Sequence, residues 1–127
     1  MRQKLVILLL VTVFMLPGLA RAVTEEDFKV KTTQNLINLC TVSANDPLRD
    51  RAIEFCHGYL VGAYDYHIAE NSGPNGKLLV CPPDPAPTRN AAINMFIEWA
   101  KAHPQYMGEK PVETEFRFLV EKWPCTK

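Results

Sequence analysis

No stretch of this 127-residue chain stays apolar for the roughly 20 residues that a membrane-spanning helix needs. The cysteines are sparse and far apart: the nearest two, Cys40 and Cys56, stand 16 positions from each other. That spacing excludes the short Cys-x-x-Cys pairs of common zinc sites. No glycine-rich phosphate loop occurs, no Ser/His/Asp set sits at a recognisable elbow, and no two carboxylates are paired in distinct environments. Nor is there a basic surplus, since 14 Lys and Arg face 14 Asp and Glu. Nucleic-acid binding rests on Lys and Arg neutralising phosphates, so its electrostatic footprint is missing. No basic amphipathic stretch points to a membrane surface. The expectation is a protein that is not an enzyme and holds no catalytic set, metal or cofactor.

What is present begins at the N-terminus. Arg2 and Lys4 precede the run Leu5–Leu16, apolar except for Thr12; Pro17-Gly18 follows, then Ala20-Arg21-Ala22. A basic start, a short apolar run and small residues at both positions a signal peptidase reads make residues 1–22 a cleavable signal peptide. Residues 23–127 are then the mature, exported chain, with no membrane segment after cleavage. Loss of Arg2, Lys4 and Arg21 leaves 11 basic against 14 acidic residues, a formal charge of −3. A chain of that length supports one domain, small enough that covalent staples would help it.

The mature sequence reads as four helices. Thr24-Glu-Glu-Asp27 resembles a capping box ahead of a first helix over about 25–40, firm from Thr33 onward, with the β-branched stretch Lys29–Thr33 open to fraying or an extended course. Asp46-Pro47 is a strong start signal for a second, the longest, running to about Glu70. Its apolar stripe is Leu48, Ala52, Phe55, Cys56, Tyr59, Leu60 and Ala63. Turn formers end it at Asn71–Gly76, and the four prolines between Pro82 and Pro87 make a rigid extended connector. A third helix starts near Thr88, turns Ala92, Met95, Phe96, Trp99 and Ala100 to one side, and closes at His103-Pro104. Pro111 opens a fourth, with Val112, Phe116, Leu119, Val120 and Trp123 inward as far as Pro124-Cys125. No segment alternates, so the fold class is all-α, a small four-helix domain.

Four cysteines remain in the exported chain, Cys40, Cys56, Cys81 and Cys125, and an even count there reads as two disulfides. Three connectivities are possible. The helix positions favour Cys40–Cys56, across the short loop between the first two helices. They equally favour Cys81–Cys125, at the two ends of the hairpin made by the last two.

Few side chains suggest chemistry. Asp65 and His67 are two apart on one helix, about 200° around it, and face away from each other. His57 and His67 lie about 15 Å apart along the axis, too far to share an ion. Cys56 is wanted for a staple, so Cys56-His57 is not a nucleophile and its base. Gly58 and Gly62, spaced like a small-residue contact motif, suggest another helix passing close over a flat face. Asp65 is either solvated or a cap on a neighbouring helix or loop, the second reading being preferred. Trp99 and Trp123 stand at core spacing.

The run Cys56-His-Gly58-Tyr59-Leu-Val-Gly62-Ala-Tyr-Asp65, with Cys40 before it and Cys81-x-Pro83 and Trp123-Pro-Cys125 after it, resembles the Rap/Tai type of immunity protein. The resemblance covers residues 33–126 and all four cysteines. It implies an exported, helical, disulfide-bonded periplasmic protein that binds and blocks a toxic effector delivered by the type VI secretion system, often a peptidoglycan amidase. The partner is then a protein, and a homodimer is compatible with the family. The loops expected to meet the partner are Glu70–Lys77, with Asn71 and Asn75, and Gln105–Lys110, with Glu109, since both join helices and carry polar groups. The rival reading is a periplasmic stress or acid chaperone that exposes apolar surface at low pH.

Overall fold

A computed structural model describes residues 21–126. All but the last two residues of the expected signal peptide therefore lie outside the described residues. Helix α1 (Thr33–Cys40) is capped by Thr32, whose hydroxyl accepts from the Asn35 N–H while the Asn35 side chain accepts the Thr32 N–H. This reciprocal box lies eight positions beyond the expected one. At Thr24 the same chemistry closes only a single 3-10 turn, Asp27–Lys29, with the Asp27 carboxylate accepting the Thr24 N–H at 2.9 Å.

The expected first helix is thus broken at its first third, for a physical reason. Asp27 is buried, and its other carboxylate oxygen takes the side-chain amides of Asn35 at 3.1 Å and Asn38 at 2.9 Å. In one continuous helix Asp27 and Asn38 would lie about 16 Å apart along the axis. The chain instead folds back on α1, turning at Val30 with φ 45°. A β-branched residue in that left-handed region is strained, and it is held there by packing on the core. Burial raises the Asp27 pKa, but hydrogen bonds from Asn38, Thr24 and Asn35 outweigh it and hold the carboxyl below its ordinary value. Its contribution to stability is present above the unfolded value of 3.8 and lost as the pH falls through the folded one.

Helix α2 (Arg49–Glu70) begins three residues after Asp46 rather than beside it. Asp46 still serves the start, accepting the Leu48 N–H at 2.8 Å, while its second oxygen takes the Val23 N–H at 3.0 Å. Ala52, Cys56 and Leu60 form the buried line of α2 at four-residue steps, with His67 further along. Phe55, expected inside, surfaces and meets Phe28 edge-on at 5.7 Å.

Helices α3 (Arg89–Lys101) and α4 (Pro111–Lys122) make the second hairpin, joined through a 3-10 turn at Pro104–Tyr106. α3 buries Ile93, Phe96, Ile97 and Ala100, leaving Met95 outside. α4 is rotated from its expected orientation: Pro111, Thr114, Glu115, Phe118 and Leu119 are buried, while Val112 and Val120 are exposed. The pin is a buried hydroxyl pair, Thr114 with Thr33 of α1 at 2.6 Å. α1 contacts all three other helices, and its Leu36 and Leu39 are fully buried.

Among the described residues the fold is all-α, with four α-helices and both expected disulfides. Cys40–Cys56 joins α1 to α2 with Cα atoms 5.2 Å apart, and Cys81–Cys125 closes the second hairpin at 4.9 Å. Beside the latter, Val80 and Pro124 form one antiparallel bridge, with the Cys81 N–H donating to the Trp123 carbonyl at 2.8 Å. In the loop-entropy account the two closures contribute roughly 3 and 4 kcal/mol, comparable with the net stability of a small domain. The reduced protein is therefore expected to be largely unfolded at 37 °C by circular dichroism. A thermal melt unchanged by strong reductant would contradict this.

Candidate functional site

Two surfaces and one cavity carry features that packing alone does not use. The first surface is the loop that leaves α2. Asn71 organises it: its side-chain amide donates to the His67 carbonyl at 2.8 Å and its oxygen accepts the Lys77 N–H at 3.3 Å. A Cβ on Gly76 would overlap the Asn71 carbonyl, so this close return of the chain requires glycine. Further on, the Leu79 N–H donates to His67 Nε2 at 3.2 Å. His67, buried and edge-on to Phe116 at 5.1 Å, is therefore a structural tie between α2, the loop and α4.

This tied loop presents apolar side chains to solvent. Leu79 is 51% exposed, and Leu78 and Val120 of α4 stand beside it around a shallow depression that Lys77 and Pro124 also line. Of the four positions expected to meet a partner here, Glu70 and Asn75 are exposed, Asn71 is half-buried in its structural role, and Lys77 edges the depression. The leucines were missed because Leu78-Leu79 in the sequence looks like core.

The second expected loop is built differently. The carbonyls of Met107 and Glu109 accept the Gln34 and Thr33 N–H groups at 3.0 and 2.8 Å, satisfying the open first turn of α1. The Glu109 carboxylate pairs with both ends of the Arg117 guanidinium at 2.9 and 3.1 Å, and that guanidinium lies 4.8 Å from the Tyr106 ring centre. Tyr106, His103 and Trp99 pack as a cluster of near-parallel rings, each in contact with the other two. Gln105 is exposed, whereas Glu109 is engaged in holding the fold.

On α2 the family-like residues divide. Tyr59 and Cys56 pack inward. Gly58 and Gly62 are exposed and have nothing within 4 Å of where a Cβ would stand. The expected helix crossing over them does not occur among the described residues. Asp65 is exposed and has no hydrogen-bond or ion-pair partner among the described residues, so it caps nothing. Trp99 and Trp123 pack on the core as expected.

The cavity, of about 260 Å³, opens between α2, α3, α4 and the proline segment. Leu60, Ile93, Phe96, Phe118 and Leu119 supply apolar wall; Asp65 and Arg89, both exposed, edge it. Among these walls lies Glu115, only 4% exposed, whose Oε2 is buried with no hydrogen-bond partner. Burial pushes its carboxyl from 4.5 up to about 9, so it is neutral at pH 7. Nothing in the sequence marks Glu115; on a helix that also carries Glu113, Arg117, Glu121 and Lys122 it looks like solvated surface. Among the described residues no three His, Cys, Asp or Glu gather as a metal site.

The arrangement is a stapled helical scaffold bearing an exposed apolar loop and a cleft, the equipment of a binding protein. The family model of Rap1a immunity proteins matches residues 32–125. The chain belongs to the Rap1a immunity protein family, which is generally non-enzymatic and binds protein effectors. Among curated proteins and solved structures nothing matches it.

Two outcomes follow. Gly58→Ala and Gly62→Ala should each raise stability to denaturant, by up to about 1 kcal/mol, because a methyl group enters open space in a helix interior; a loss at both positions would show that the glycines are needed inside the fold. Glu115→Gln should leave stability near pH 4.5 almost unchanged and raise it relative to the parent at pH 8. The raised folded value means the parent binds a proton on folding between 4.5 and about 9, so its stability falls as the pH rises through that window. Parallel stability–pH curves for parent and variant would refute the assignment.

Proposed function

We propose that this chain is a periplasmic immunity protein that neutralises a toxic effector, a peptidoglycan amidase delivered by type VI secretion, by binding over it and without catalysis. The observation that carries the reading is the family match, which spans all four helices and both disulfides. Two structural disulfides suit an oxidising compartment outside the cytoplasm.

Processing between Ala22 and Val23 fits the same reading. Arg21 and Ala22 are exposed, whereas the Val23 side chain is buried, and its backbone nitrogen lies 3.0 Å from the Asp46 carboxylate. Cleavage there would leave Val23 and the rest of the described core in place and would turn that nitrogen into an ammonium facing an acid. The leading contact surface is the loop after α2, with Leu78, Leu79 and neighbouring Val120 as apolar anchors and Glu70, Asn75 and Lys77 at the polar rim. In the second loop Gln105 is the accessible position.

The test uses the processed protein purified from the periplasm. It is offered each peptidoglycan amidase that the source cell exports through type VI secretion. Tight binding to one, with loss of its hydrolytic activity, is expected, and Leu79→Asp should weaken that complex at least tenfold, about 1.4 kcal/mol, without lowering the melting temperature. Failure to bind any of them would remove the amidase assignment, and aggregation suppression at pH 2–4 without a specific partner would favour the chaperone instead.

A further inference from the structure

Glu115 is the one buried side-chain acceptor among the described residues with no partner, and it lies in the wall of an open cleft. An orphaned buried carboxyl costs free energy that an apolar residue at the same place would not. The fold does not need it: α4 is already seated by Thr114, Phe118 and Leu119. A cavity of about 260 Å³ falls just below the roughly 300–1,000 Å³ of pockets that take drug-sized molecules, so it suits a single side chain. Its walls are aliphatic and aromatic, and beyond Glu115 the acid edging it is Asp65, exposed and unpaired.

We propose that the cleft is a receptor for a primary ammonium on an aliphatic stem, namely a lysine side chain presented by the protein partner, with the stem against Leu60, Ile93 and Phe118 and the ammonium on Glu115. Lysine stems bury readily along apolar surface, and a compact ammonium can be satisfied by one orphaned oxygen, whereas an arginine fork asks for two oxygens side by side. Desolvating that cation is offset by the charge-assisted bond it makes with Glu115. Arg89 opposes a cation from the rim, but it is exposed, and its repulsion is weakened by solvent and salt. The other titratable groups facing Glu115 or lining the cleft come from α2: Tyr59, Tyr64 and Asp65. The proline segment contributes Pro82, Ala86 and Pro87, none of which titrates. Because the free carboxyl is neutral at pH 7, binding takes the form of a carboxylic acid and an ammonium giving a carboxylate–ammonium pair and one released proton.

The partner assignment rests on the immunity reading, so the test has an arm that does not. n-Butylammonium is titrated into the processed protein at pH 7, with n-butanol as the neutral control. The amine should saturate the site and shift backbone amide resonances of Leu60, Ile93 and Phe118. Calorimetry in two buffers of different ionisation heat should count about one proton released per amine bound. Glu115→Gln should weaken amine binding at least tenfold. No saturation, equal binding of the alcohol, or undiminished binding by the variant would overturn the site; the proton count in the parent decides the matter should the variant not fold. In the second arm Glu115→Gln and one Lys→Met change in the effector should each weaken the complex at least tenfold, and together no further. Amine binding without any such lysine would overturn the partner assignment and leave family membership intact.

Discussion

An isolated helix of eight residues does not persist in water, because nucleation outweighs the few hydrogen bonds it makes. Yet α1 is that short and stands at the centre, touching the other three helices with Leu36 and Leu39 wholly buried. The rest of the molecule supplies what the helix lacks. Thr32 and Asn35 close its N-terminus, and carbonyls of the 107–109 loop take two further N–H groups. Asp27 grips its exposed side through Asn35 and Asn38, Thr114 pins it to α4, and Cys40–Cys56 ties its end to α2. Remove the centre and the two hairpins lose the surface on which they meet.

That arrangement divides the molecule into parts that hold and parts that are free. The loop between α3 and α4 is polar and joins helices, yet its carbonyls and Glu109 are engaged in completing α1 and binding Arg117. The loop after α2 is also braced, by Asn71, Gly76 and His67, but its braces face inward and its leucines face solvent. A rigid loop presenting apolar side chains loses little entropy on binding, which suits a protein that binds another. The open glycine face of α2 and the cleft at Glu115 are likewise features from which the fold itself gains nothing.

Much of the architecture was legible in the residues. Helix periodicity, proline starts and turn clusters placed α2, α3 and α4 within a few residues, and the helix ends selected the disulfide pairing. The failures were equally local in cause. The β-branched stretch around Val30 marks the weak part of the first helix, but the reversal there at positive φ has no sequence signature. α4 was read with Val112 and Val120 inside because hydropathy cannot register that Thr114 would find Thr33, 81 positions away, and turn the helix about its axis.

By itself, then, the sequence determined a stapled all-α domain, since periodicity and turn chemistry act over a few residues, and the run Cys56–Asp65 carried its resemblance to an immunity family. Only the tertiary structure decided what those residues are free to do. It showed that, among the described residues, nothing covers Gly58 and Gly62 and Asp65 caps nothing, and that Glu109 is engaged. It also drew Glu115 out of solvent into an apolar cleft without a partner. Exposure and pairing belong to contacts between residues far apart in the chain, and those exist only once the helices are packed.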